Sequence, residues 1–532
     1  MRQRIFHRAV PRLAALALGT TAALGLVAAG PAAGAPPKPP ADPGAQLAST
    51  LVDQVTIGGI FAHLAGFERL AQANGGIRTA GTRGFDQSAD YVAERLHEAG
   101  YRVTRQSFQF PFFQELRPTV LAQTGPAPIH YRGATDFEVM TYSGTGTVQA
   151  AVHPVEVNLT PPRASTSGCE SADFAGFPRG QIALMQRGTC DFAVKVRNAT
   201  AAGASAAIIF NQGNGDPTKN ADRFDLIAGT LTAPATIPTV GVTYAAGAHL
   251  ATTAGAVVRL ETHIVSETRT TQNLIAETPE GRADNVVMAG AHLDSVPQGP
   301  GINDNGTGSA TLLELALKYG PLAHTVKPVN KVRFAWWGAE EEGLLGSTHY
   351  VEKLTPRQVK NIGLYLNLDM LASPNYVLGV QDGDHSAAAS DRAPAGSAGI
   401  EKLLRAYLSS RGQHAVDADF TDRSDYAPFI AKGIDIPAGG LETGAEGRKT
   451  AADAKLFGGV VGVANDPCYH KACDSMVPLV HHADPAIYAK LQSAYGVQLV
   501  GNLNLFALNL NAGAIANAVG RLAFSTAGIS SP

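Results

Sequence analysis

Val286-Val-Met-Ala-Gly-Ala-His292-Leu-Asp294 is the stretch on which the fold turns. Val286 to Ala291 is a short, wholly apolar or small run, the pattern of a strand buried on both faces of a sheet. It ends in His292 and Asp294. Beyond it, Val332–Trp337, Ile362–Leu368 and Gly433–Gly439 read as further buried strands, with helical stretches at Ser309–Tyr319 and Ile400–Ser410 between them. This alternation predicts an α/β domain with a mostly parallel, mixed central sheet and helices on both faces.

Toward the amino end, Ile60–Asn74 and Phe85–Gly100 carry helix-like apolar spacing, and Tyr101–Phe110 alternates like a strand. Between about Thr141 and Glu267 the texture changes. Short β-prone runs, many Gly and Pro and one Ala-rich stretch, Ala193–Ala207, replace the long helices. A small β-rich domain (142–267) is therefore expected to interrupt an α/β domain formed by 45–141 and 268–510. A chain of 532 residues exceeds one ordinary core, which agrees with two globular parts. For the tail, 511–532, Ile515, Val519 and Leu522 leave both a trimmed segment and a helix on the core open.

The first 35 residues read as an export signal. Arg2, Arg4, Arg8 and Arg12 precede an apolar stretch from Leu13 to Ala29, and small residues follow at Ala32 to Ala35. A retained anchor is the rival reading. Gly19, Thr20 and Thr21 within the stretch and the Pro-rich spacer 36–44 favour cleavage. A secreted protein is expected, with no membrane attachment after cleavage. The net charge of −3 and the lack of a long basic run give no reason to expect nucleic acid. Four cysteines in an exported chain suggest two local disulfides, Cys169 with Cys190 and Cys468 with Cys473. A thiolate metal site is disfavoured because neither pair has C-x-x-C spacing.

The chemistry lies in where acids and histidines fall. His292 and Asp294 end the first strand, and Asp304 sits in Gly301-Ile-Asn-Asp-Asn-Gly306 before a helix. Glu340 and Glu341 follow the second strand, Asp369 ends the third, and His470 lies in a late loop. Taken singly, each has an ordinary reading as a cap, a solvated acid or a satisfied polar pair. Together they cluster at strand ends, where open α/β sheets gather ligands. Imidazole and carboxylate suit zinc, and an acid-rich set suits a pair of ions with one carboxylate shared. Asp304 is best placed to bridge, and Asp294 to accept the second imidazole N–H of His292.

Five stretches, Gly290-Ala-His-Leu-Asp-Ser-Val296, Gly301–Gly306, Phe334-Ala-Trp-Trp-Gly-Ala-Glu-Glu341, Tyr365-Leu-Asn-Leu-Asp-Met370 and Cys468-Tyr-His-Lys-Ala-Cys473, resemble the bacterial secreted aminopeptidases with co-catalytic zincs. The likeness is loose over Gln46–Thr141 and close over Thr271–Leu510. It implies two Zn2+, with His292 and Asp369 on one, Glu341 and His470 on the other, and Asp304 between. It further implies Glu340 as general base, Tyr469 as oxyanion donor and Arg423 near the substrate's amino end. The expected partners are peptides with a free amino terminus, and a monomer is expected. Bound calcium is not readable.

Gly180–Cys190, Ala204–Asn211 and Ile237–Gly241 resemble a protease-associated domain, to which no catalytic residue is assigned. One departure concerns the substrate-pocket loop, Gly439-Gly-Leu-Glu-Thr-Gly-Ala-Glu446, where leucine-preferring members carry an apolar side chain and this chain has Glu442. Facing the pocket, that carboxylate would favour Lys or Arg at the first position. Facing solvent or an Arg, it would not. The rivals are a metal-free binding ectodomain and a one-zinc glutaminyl cyclase, both less suited to a full ligand set.

Overall fold

Four parallel strands lie side by side at the centre of the computed structural model, in the order Ala438–Glu442, Ile362–Leu368, Arg282–His292 and Asn330–Trp337. The structure describes residues 42–217, 219–387 and 392–529, so the expected export signal and residues 36–41 of the spacer lie outside them. Two short strands, Gly379–Gln381 and Val416–Ala418, extend one edge, with an antiparallel step at Ala438–Glu442. At the other edge Val257–Glu277 joins Asn330–Trp337 antiparallel. The sheet is thus mixed, with a parallel centre.

Side chains sort to the two faces with the period of a strand. Val287, Ala289 and Ala291 enter a large core built with Leu312, Leu315, Leu364, Leu366 and Ile515. Met288 enters the opposite core, with Trp337, Tyr365 and Phe429. The helices Ile57–Ala73, Arg83–Glu98, Gly308–Val326, Ser397–Ser410 and Leu505–Leu522 contribute to the first core. Leu345–Glu352 and Ala427–Ile430 contribute to the second.

Two boundaries differ from expectation. The last parallel strand is Ala438–Glu442 rather than Gly433–Gly439. Asp435 takes a left-handed φ of 50° and Pro437 has no N–H to give a ladder, so pairing starts only after them. At the C-terminus, residues 511–522 continue the helix Leu505–Leu522, with Ile515, Val519 and Leu522 buried.

The strand that begins near Tyr101 runs much further than its alternation suggested, over Arg102–Gly125. It pairs antiparallel with Val257–Glu277 along almost its whole length. Both strands leave the α/β sheet and continue into the β-rich domain, whose strands Gly146–Pro154, Ile182–Gln186, Ala206–Phe210, Thr239–Val242 and Phe137–Val139 follow in order. Its Ala-rich stretch divides into a helix, Phe192–Ala201, and the strand Ala206–Phe210. The two small cores of this domain flank that sheet. Both expected cysteine pairs are bonded, Cys169–Cys190 and Cys468–Cys473.

Candidate metal centre

The carboxyl ends of the four central strands face one crevice. Arg282–His292 pairs with Asn330–Trp337 on one side and Ile362–Leu368 on the other, so the chain order reverses at that strand and opens a cleft there. His292 ends the strand, Glu340 and Glu341 follow the second, Asp369 follows the third and Glu442 ends the fourth. The turn Ile302–Thr307 delivers Asp304 from the start of the helix Gly308–Val326. The loop closed by Cys468–Cys473 brings Tyr469 and His470 over the top. Four non-glycine residues here take left-handed φ, Ala339 (58°), Leu344 (60°), Met370 (51°) and His470 (55°), each at a cost on the order of 1–2 kcal/mol.

Asp304 lies between the two imidazoles. Its Oδ1 is 3.3 Å from His292 Nε2 and its Oδ2 is 3.2 Å from His470 Nε2. Asp369 Oδ1 is 3.4 Å from His292 Nε2, and Glu341 Oε2 is 3.1 Å from His470 Nε2. Ligand atoms around one tetrahedral zinc stand about 3.3 Å apart when each bond is about 2.0 Å. Asp369 Oδ1 and Glu341 Oε1 are buried and accept no hydrogen bond, which leaves their lone pairs to a cation. Burial opposes protonation of His470, yet Asp304 and Glu341 push it up to about 10. The donor set thus fits zinc in chemistry and spacing.

Supporting bonds hold each group. His292 Nδ1 is 3.3 Å from the Asp294 carbonyl oxygen, which can only accept, so a proton on Nδ1 is held there and Nε2 is the nitrogen turned towards Asp304 and Asp369. The Asp294 carboxylate, expected to take that N–H, is 3.7 Å from Nδ1 and instead accepts the backbone N–H of Glu340 and of Glu341, each at 3.3 Å. Ser424 Oγ donates to Asp369 Oδ2 at 2.6 Å and accepts from Asn367 Nδ2 at 2.8 Å. Asn367 Oδ1 accepts from Tyr365 Oη at 3.1 Å, and Tyr365 Oη accepts from Trp337 Nε1 at 2.8 Å.

A further contributor comes from the N-terminal segment. The buried Arg78 guanidinium donates to the carbonyls of Leu293, Pro300 and Gly301, tying together the loop between His292 and Asp304. Neither Arg78, Asn367 nor Ser424 was singled out by sequence reasoning. Ser424 directly follows Arg423, in Asp422-Arg-Ser-Asp-Tyr426, so its position beside an expected site residue was its one signal.

The centre opens on a cleft of about 600 Å³ lined by Glu340, Asp419, Arg423, Glu442, Glu446 and Tyr469, among others. Arg423 forms a two-pronged pair with Glu446, at 2.8 and 3.2 Å, and donates through Nη2 to Tyr469 Oη at 3.2 Å. The Tyr469 ring stacks on His470, centroids 3.8 Å apart. Glu442 is half-buried, and burial together with the charge of Asp369 pushes its carboxyl up to about 7 against the pull of Arg423. Among the described residues it forms no ion pair.

Residues 273–490 match peptidase family M28 and residues 153–250 match the PA domain. An aminopeptidase of Pseudomonas aeruginosa is 46% identical over 417 residues, which is 78% of this chain and 76% of that protein. A leucine aminopeptidase 2 of Trichophyton rubrum is 40% identical over 370 residues, 69% of this chain and 66% of that protein. Among solved structures, an aminopeptidase from an Aneurinibacillus strain shares the fold, with a TM-score of 0.58 at 24% identity over 88% of this chain and 95% of that one. The chain belongs to peptidase family M28 and carries an inserted PA domain. Its enzyme class is that of the aminopeptidases it matches.

Proposed function

We propose that this protein is a secreted aminopeptidase that uses two zinc ions to hydrolyse the first bond of a peptide and favours Lys or Arg at that position. The observation that carries the two-ion reading is Asp304, each of whose oxygens faces a different imidazole within 3.3 Å. His292 and Asp369 complete one site, and Glu341 and His470 the other. When bound there, zinc would acidify the attacking water and polarise the scissile carbonyl.

The chain's own groups do the rest. Glu340 lines the cleft, and its Oε2, at 3.9 Å from His292 Nε2, stands further from that nitrogen than the oxygens of Asp304 and Asp369, so we assign it to proton transfer rather than to a zinc. It takes a proton from the attacking water and passes it to the nitrogen that leaves as the C–N bond breaks. Tyr469 Oη accepts from Arg423, so its own hydrogen is free to donate to the oxyanion. The acidic cleft attracts a free α-ammonium. Export fits the N-terminal signal reading and the two disulfides.

The basic preference rests on Glu442. The Arg nearest in the cleft is engaged by Glu446, and Asp419 adds a second carboxylate to the same lining. The test is turnover of a panel of aminoacyl-nitroanilides by the mature protein, with chelation, zinc restoration and a zinc count. Lysyl and arginyl substrates should lead leucyl by tenfold or more, with two zincs per chain. Leucyl-led release would refute the pocket reading, and a single zinc would refute the paired centre.

A further inference from the structure

Asp474 stands immediately after Cys473, which closes the loop bearing Tyr469 and His470, and it is 1% exposed. Its acceptors face the turn that bears Asp304. The Asp474 carbonyl oxygen accepts from Ile302 N at 3.1 Å, Oδ1 from Asn303 N at 2.8 Å and Oδ2 from Asp304 N at 2.9 Å. Three consecutive backbone N–H groups of one turn are thus taken up by one residue of another loop.

The surrounding bonds close the arrangement. Asn502 Nδ2 donates to Asp474 Oδ1 at 2.8 Å and to both oxygens of Asp466. Asp466 accepts the Cys468 backbone N–H at 2.8 Å and Asn303 Nδ2 at 2.7 Å. Both ends of the disulfide loop are therefore fastened to the Asp304 turn. Filling this space does not require a carboxylate, but the Asn303 and Asp304 N–H groups meet different oxygens, and an amide there would turn an NH2 donor towards one of them.

We propose that Asp474 is a positioning residue of the metal centre, fixing the Asp304 turn against the His470 loop so that the two present their donors together. This rests on the ligand assignment above. It assigns to Asp474 no contact with substrate or metal. Outer partners of this kind typically govern metal affinity by 10–100-fold, about the range expected here.

The experiment compares full-length mature wild type with Asp474→Asn, measuring zinc affinity by chelator competition, kcat and KM at saturating zinc, and melting of the metal-free forms. D474N should hold zinc about 10–100-fold more weakly. Its kcat should fall about fivefold or more, with KM changed less than about twofold, as for a group that organises the centre without binding substrate. Wild-type zinc affinity and kcat in a D474N protein that merely melts lower would overturn the inference. If D474N does not fold, Asn502→Ala, which keeps the carboxylate and removes its side-chain donor, carries the test. A threefold or larger loss of zinc affinity in N502A supports the inference, and an unchanged affinity overturns it. A wild type that binds no zinc would instead sink the ligand assignment.

Discussion

Ser424 Oγ donates to Asp369 Oδ2 at 2.6 Å, and this hydroxyl is the last member of a buried relay that starts at the Trp337 indole. The relay fixes which oxygen of Asp369 remains free, since Oδ1 accepts no hydrogen bond. Ser424→Ala should therefore loosen the orientation of a proposed ligand without touching substrate. About a tenfold loss of zinc affinity is expected, read by chelator competition. An S424A protein that competes for zinc like wild type would show the hydroxyl to be dispensable.

Glu340 and Glu341 are adjacent but face different tasks in the proposed mechanism. Glu340→Gln keeps shape and removes the proton acceptor, so kcat should fall about 10²–10⁴-fold while zinc content stays at the wild-type level. Glu341→Gln should lower zinc content as well. Equal metal loss in both variants would contradict the division of labour.

Gly290 lies in the central strand, and a Cβ there would meet Tyr365 Oη at 2.5 Å and Trp337 Nε1 at 2.7 Å. Both atoms belong to the relay, and both rings are fully buried against Phe429. Gly290→Ala is expected to destabilise the fold by about 1–3 kcal/mol, read from the urea midpoint. A midpoint equal to wild type would mean that the rings can shift without cost.

The Lys449 ammonium is buried among Tyr376, Phe457 and Tyr495, and donates to the Tyr376 carbonyl and to Tyr495 Oη. Burial lowers its pKa from 10.5 to about 8, with only Asp453 opposing. The unfolded chain then holds this proton over an interval where the folded chain has lost it, so stability rises with pH between about 8 and 10 and the full penalty applies below 8. Lys195, also lowered to about 8 by burial, adds a parallel contribution from the PA domain. Lys449→Met should flatten the rise in denaturant midpoint between pH 8 and 10. An unchanged slope would place the titration elsewhere.

What was legible in the sequence was whatever depends on position along a strand. His292, Asp369 and the glutamate pair could be placed because side chains at the carboxyl ends of parallel strands converge whatever the rest of the chain does. What was not legible depends on groups brought together from afar. Arg78 acts on carbonyls more than two hundred residues away, at Leu293, Pro300 and Gly301, and nothing near it in sequence marks it. Nothing in the sequence marks Asp474, because its partners include backbone N–H groups, which carry no sequence signature. The strand assigned to Gly433–Gly439 slipped because apolar content cannot register where Asp435 and Pro437 delay pairing. The length of Arg102–Gly125 was likewise invisible, since its far half is held by a partner strand over a hundred residues later.

That long ribbon sets what kind of motion the PA domain can make. A domain joined by two loose linkers can swing, but Arg102–Gly125 and Val257–Glu277 carry a hydrogen-bonded ladder from the catalytic sheet into the PA sheet. Swinging would mean breaking ladder bonds, whereas twisting a paired ribbon would not. By that construction the PA domain is mounted as a cantilever rather than hung as a door. Its placement relative to the catalytic sheet is a property of ribbon length and of the irregularities between Glu115 and Val120. Lengthening or shortening both strands in step would move the PA domain along the ribbon by a calculable distance, about 3.4 Å per residue pair, without redesigning either domain.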